Sequence, residues 1–282
     1  MGEAAIGRNA PAFKATCASA NTEDAFMSDY DRNVAAFPGA RAGQSVAVDA
    51  GLRAHMLRVY NYMAGAVGLT GIVSWLTYQA SGGDAIQIVG RGMTGLTPFG
   101  EMVMGGYSPI ILMLATLGLV FFISFRINRL QYTTALGLFM LYAALLGAAL
   151  SAIFVQYTGT SITQVFFISA ASFGALSLYG YTTQCDLSPF GAFLIMGLFG
   201  VVIAMIVNIF LQSGMLALVI SVVGVLVFAG LTAWDTQKIK EMYDVNDDGT
   251  VSGRKAVMGA LTLYLDFINL FLMMLRLFGD RR

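Results

Sequence analysis

Charge is scarce in this chain. Acidic and basic residues together make up 11% of its 282 positions, while hydrophobic residues make up 57%; soluble domains average about 25% charged. Histidine is scarcer still, with His55 alone, and the two cysteines, Cys17 and Cys185, lie in separate polar segments. No zinc-ligand spacing can be built from that set, and the cysteines read as two unpaired thiols. The sixteen acidic and sixteen basic residues cancel. No net field therefore points toward nucleic acid.

What charge there is lies at the two ends and in a few short loops, leaving seven apolar blocks between them. Each is long enough to cross, or nearly cross, a hydrocarbon layer about 30 Å thick. They run on without the polar–apolar alternation of a membrane barrel strand, so the spans are helices. The chain reads as an all-α polytopic membrane protein. Residues 1–52 differ from the rest: they are polar, with no sustained apolar period and no signal-peptide core, and read as a mobile cytoplasmic tail. Residues 53–282 form the membrane domain.

The first span covers about 57–78. A Gly- and Thr-rich loop holding Asp84, Arg91 and Glu101 follows. Ser108-Pro109 opens the second span and Ser188-Pro189 the fifth, each read as a serine cap with proline at the first helical position. Spans three and four cover about 133–155 and 162–181, with small residues at four-residue spacing (Ala143, Gly147, Ser151; Ala170, Gly174) that read as packing seams. The sixth runs into the polar WDTQKIKEMYD, and the seventh covers about 256–278. Lys and Arg in short loops set the orientation. Arg53, Arg58, Arg126, Arg129, Lys238, Lys240, Arg254 and Lys255 fall on one side, which places the amino terminus in the cytoplasm. A full crossing by the seventh segment would leave Arg281 and Arg282 outside, whereas a half-inserted segment would return them.

Two acids stand inside apolar spans. Asp266 sits in LTLYLDFINLFLMM and Asp235 in the sixth span; a carboxylate at mid-membrane costs roughly 2.5–3.5 kcal/mol on insertion scales. Counting at 1.5 Å per residue puts Asp235 roughly 12 Å and Asp266 roughly 15 Å from their helix ends at the connecting loop. The two depths agree, and the short loop makes the helices neighbours, so the carboxyls are expected to meet. Ser221, Gly224, Thr232 and Asp235 share one face of the sixth span, and Thr262, Asp266 and Asn269 share one face of the seventh. Asn208 and Gln212 of the fifth span extend this polar stripe or act as interhelical hydrogen-bond partners. Two carboxyls in contact titrate as a unit around a shared proton, which suits a pH sensor. A hard cation such as calcium could take the proton's place, so Asp235 and Asp266 are also the candidate metal ligands. A purely structural protonated pair is the competing reading. DVNDDGTVSGRK, from Asp244, resembles an EF-hand loop at its first, third, fifth and sixth positions, but Lys255 stands where a glutamate is required. It reads as a hydrated turn, and His55 as an interfacial residue.

At these residues the chain resembles the bacterial branch of the Bax inhibitor family. The matching segments are DLSPFGAFLIMGLFG (186–200), GLTAWDTQKIKEMY (230–243) and LTLYLDFINLFLMMLR (261–276), within a likeness covering about 53–282. The resemblance implies a seven-helix bundle, six spans surrounding a shorter or re-entrant seventh, in an inner membrane. It implies a pH-sensitive calcium leak rather than an enzyme, with no cofactor. The aspartate pair would be Asp235 and Asp266, latched by an arginine at the cytoplasmic end of the second span, Arg126 or its neighbour Arg129. Ionised Asp235 would hold that arginine across the mouth, and protonation would release it. Two other classes compete. An intramembrane aspartyl protease also pairs acids on neighbouring spans, but glycines flanking the second acid are missing, since Leu263-Tyr264-Leu265 precedes Asp266. A regulatory module acting on a membrane protease or stress pathway would use the tail as its contact arm.

Overall fold

The computed structural model describes the backbone of residues 38–89 and 92–282, and side chains from residue 50 on apart from 89–92 and 128. The long helices are α1 (Pro38–Ala80), α3 (Ser108–Arg126), α4 (Tyr132–Leu150), α6 (Gly159–Thr182), α7 (Ser188–Leu211), α8 (Gly214–Glu241) and α9 (Gly249–Phe278). Two short helices, α2 (Pro98–Met104) and α5 (Ala152–Gln156), and a small hairpin of β1 (Gln87–Val89) with β2 (Gly92–Thr94) complete the pattern. Six helical stretches are long and apolar enough to cross a membrane: α3, α4 continued through α5, α6, α7, α8 and α9. Their outward faces carry large apolar side chains, Phe125 and Phe210 each being 80% exposed. A water-facing surface of that kind would be unstable, and a lipid-facing one is expected. This is an integral membrane protein.

The bundle is organised around its last helix. In the apolar stretch of α9, 72% of residues are buried in the protein, against 6% in α7 and 11% in α3. Helices α1, α4, α6 and α8 pack directly on α9, while α3 lies outside against α4 and α7 outside against α8. Tyr264 of α9 is fully buried, edge-on to Phe139 and Tyr142 of α4. Phe267, three residues on, meets Phe166 and Phe173 of α6 in the same edge-on manner. Such T-shaped pairs add about 0.5–1.5 kcal/mol each beyond burial.

The expected shorter or re-entrant seventh segment is corrected here. Helix α9 is unbroken over 30 residues and joins opposite ends of the bundle. At its start, Gly253 lies against Tyr132 and Asp248 caps the helix, its Oδ1 accepting the amides of Thr250 and Val251 at 3.1 and 2.7 Å. At its far end the chain is stitched to the start of α6: Thr158 N donates to Asp280 O (3.1 Å) and Asp280 N to Ser161 Oγ (2.9 Å). Arg282 continues the strap, its amide donating to Gln156 O (3.0 Å) and its guanidinium to Asp84 Oδ1 (3.2 Å) and Tyr78 Oη (3.3 Å). A carboxylate and an aromatic hydroxyl thus receive the terminal cation on the side opposite the α8–α9 loop. That is the alternative to half-insertion which loop-charge counting missed.

Three boundaries also move. Helix α1 starts at Pro38, inside the stretch read as polar tail, and residues 1–37 lie outside the described residues. Ser108 and Ser188 are not caps: each is already helical, with proline next to it. At α7 the local bond comes from Asp186 Oδ1, which accepts the Ser188 amide at 2.9 Å. Of the expected seams, Gly147 takes part, since a Cβ there would lie 2.7 Å from Thr70 O, but Gly174 faces open space.

Candidate functional site

Asp235 and Asp266 meet. Their side chains are hydrogen-bonded to each other across the α8–α9 contact, and they are only 8% and 6% exposed. Antiparallel register brings them together: Ile239 packs over Gly259 toward the loop, and Gly224 makes room for Met273 in the other direction. Because α9 begins at Gly249 rather than near residue 256, Asp266 lies roughly 25 Å along its helix instead of roughly 15 Å. The distances from the loop therefore differ, and the acids meet because the first turns of α9 run past the end of α8 before the packed register begins. Two carboxyl oxygens that share a hydrogen bond must hold a proton between them. Asp266 Oδ2 has no hydrogen-bond partner among the described residues although it is buried.

The neighbouring charge is on Lys238, one turn from Asp235 and the charged group acting on it. Its Nζ rests 5.0 Å from the centre of the Trp234 ring. Arg126 and Arg129 are exposed at the end of α3 and in the turn after it, and among the described residues neither forms an ion pair with the aspartates. The structure brings the two acids together and, among the described residues, shows no ion pair from either arginine to them.

The polar stripe is dispersed rather than continuous. Thr232 is fully buried but donates to its own helix at Phe228 O (2.8 Å). Thr262 donates to Met258 O (3.1 Å), Asn269 to Leu265 O (2.8 Å), and Asn208 Oδ1 accepts the Ser213 amide (3.1 Å) at the α7–α8 turn. Each satisfies a backbone group near itself, which is how hydroxyls and amides in an apolar medium avoid an unpaired dipole. Sequence reasoning missed a different set. Tyr60 Oη, Ser177 Oγ and Thr236 Oγ1 form a chain at 2.7 and 3.0 Å linking α1, α6 and α8. Gln237 grips the α6–α7 loop, donating from Nε2 to Cys185 O and accepting the Leu187 amide at Oε1, both at 2.8 Å. Thr236 and Gln237 stand beside Asp235 in WDTQKIK, so polarity so close to a membrane acid was the available signal; Tyr60 and Ser177 gave none.

Other expectations resolve locally. Cys185 is disulfide-bonded, not a free thiol, and Cys17 lies outside the described residues. His55 is buried within the protein, 3% exposed, its ring 5.7 Å from that of Tyr243. The EF-hand-like residues are occupied as turn and cap, with Asp244 Oδ1 accepting the Asn246 amide (2.9 Å) and Asp247 paired with Lys255 (2.5 Å). Among the described residues no three His, Cys, Asp or Glu side chains converge. The aspartate pair alone offers fewer oxygens than the six to eight that calcium takes, so any calcium reaching it would arrive as cargo and keep much of its water.

A sequence profile of the family described as "Inhibitor of apoptosis-promoting Bax1" matches residues 52–282. The chain belongs to the Bax inhibitor family. An uncharacterised protein of Rickettsia prowazekii is 44% identical over 83% of this chain and 92% of its own length. The inner membrane protein YbhL of Escherichia coli is 43% identical over 86% of this chain and 98% of its own length. A Caulobacter vibrioides protein is 39% identical over 91% and 100% respectively. The family match begins at residue 52, inside α1, and takes in every membrane-crossing helix of the bundle.

Proposed function

We propose that this Bax inhibitor family protein is a pH-sensitive calcium leak, gated by the Asp235–Asp266 pair and not catalysing a reaction. The observation that carries the reading is that hydrogen bond, made between carboxyls on two neighbouring membrane helices and buried on both sides. In membranes such groups mark ion or proton pathways because their desolvation is otherwise uncompensated. A shared proton and the lack of an ion pair to Arg126 among the described residues suit the proton-loaded member of the cycle. In the ionised member Asp235 needs a counter-charge, which Lys238 or Arg126 supplies. Neither the α1–α6 cleft nor the one between α1, α6 and α9 is lined by either acid, so in this reading conduction needs a rearrangement around the pair.

The finer topology belongs to the same reading. Residues 57–78 of α1, packed on α4 and α9, serve as a seventh span. Arg53, Arg58, Arg126, Arg129, Lys238, Lys240, Arg254 and Lys255 mark the cytoplasmic end and the amino-terminal side. Residence in the inner membrane follows the description of YbhL, and the amino-terminal stretch 1–52 is the candidate arm for a membrane protein partner.

The test is calcium efflux from liposomes across a pH series. Acidification is expected to raise efflux in the native protein, and Asp235→Asn is expected to flatten the profile. An unchanged profile in the variant would overturn the gate.

A further inference from the structure

Between α1 and α6 lies a cleft of about 790 Å³, open to the flank of the bundle and separate from the aspartate pair. We propose that it holds one anionic phospholipid, with the phosphate at Arg53 and an acyl chain along the groove. The volume falls in the range of about 300–1,000 Å³ typical of small-molecule sites. Leu57 and Leu178, 53% and 62% exposed, line it and face the membrane. Tyr60 and Ser177 also line it, but their hydroxyls are bonded to each other, so the groove presents apolar surface to an incoming chain.

One end of the cleft is cationic. Arg53 lines it, is exposed, and has no carboxylate partner among the described residues. Tyr181, at the same cleft, is backed by Lys240, whose Nζ donates to the Tyr181 carbonyl at 2.9 Å and sits 5.3 Å from its ring centre. Basic pockets between membrane helices on the cytoplasmic side take anionic headgroups through this combination of fixed cations and an apolar slot. A zwitterionic headgroup would bring its own cation to the end that already holds Arg53 and Lys240, whereas an anionic one brings none, which is why the headgroup is anionic.

Native mass spectrometry of the full chain in detergent, titrated with phosphatidylglycerol or with phosphatidylcholine, tests the site. One phosphatidylglycerol is expected to be retained in preference to phosphatidylcholine. Arg53→Gln should weaken that retention about fivefold. Gly174→Trp should abolish it, because a side chain there enters open cleft space instead of packed core. If Gly174→Trp lowers the thermal midpoint, the exposed Arg53 variant decides alone. Equal retention of the two lipids, retention of neither, or no effect of Arg53→Gln would overturn the proposal.

Discussion

Ile239 of α8 fills the gap that Gly259 leaves on α9: a Cβ at 259 would lie 3.1 Å from Ile239 Cγ2. This contact lies between the aspartate pair and the loop and helps fix the register in which the two acids face each other. Gly259→Leu should overpack the seam, lower stability by about 1–3 kcal/mol, and separate the pair. Thermal unfolding in detergent reads the first effect. Loss of pH-dependent efflux in a variant that still folds reads the second.

The aspartates should also matter for stability. Asp266→Ala leaves Asp235 buried without its partner, and an unmade buried polar contact costs about 1–3 kcal/mol. Asp266→Asn keeps a donor and an acceptor in the same place and should unfold near the native midpoint. A midpoint for Asp266→Ala as high as for Asp266→Asn would show that the hydrogen bond contributes little.

The terminal strap gives a pH prediction outside the membrane helices. The hydrogen bond from Tyr78 and the nearby Arg282 guanidinium hold the Asp84 carboxyl below the usual carboxylate range. A depressed folded value means that its contribution is present above the unfolded value of about 3.9 and is lost as pH falls through the folded value. Protection of the Asp280 and Arg282 amides against hydrogen exchange should therefore decline in acid. Asp84→Asn should remove that step, and an identical decline in the variant would sink the assignment.

Asp248 is expected to hold the start of α9. The Val251 amide, then the Thr250 hydroxyl, hold its carboxyl down. Asp248→Ala should speed exchange at the Thr250 and Val251 amides while leaving the centre of α9 protected. Uniform loosening along the helix would mean that the cap is not local.

The aspartate pair was legible because an acid in an apolar run stands out, and because a short loop makes the two helices antiparallel neighbours; the depth count itself was not, since α9 begins a turn and more before residue 256. The span limits were legible for a similar reason: Pro109, Pro189 and the polar WDTQKIKEMYD act through local chemistry. The latch was not legible. Whether Arg126 reaches Asp235 depends on how α3 sits outside α4, which no local pattern encodes. Thr262 and Asn269 misled because position on a helix face does not say whether a polar group turns to a neighbour or back to its own carbonyls. The strap at Asp280 and Arg282 and the hairpin before α2 depend on segments far apart in sequence, so short-range reasoning had little hold on them. The central place of α9 became clear only from its burial.

Because the innermost post of the bundle follows the helices that ring it in the sequence, those helices must wait in the bilayer with their inner faces uncovered until the ribosome delivers residues 249–278. A chain cut short before Tyr264 would lack the aromatic that α4 closes around, and its hydroxyl contact with Thr70 of α1 at 2.7 Å. Premature termination between residues 249 and 264 should therefore yield an unassembled set of helices, cleared by membrane proteolysis, and not a slightly shortened protein.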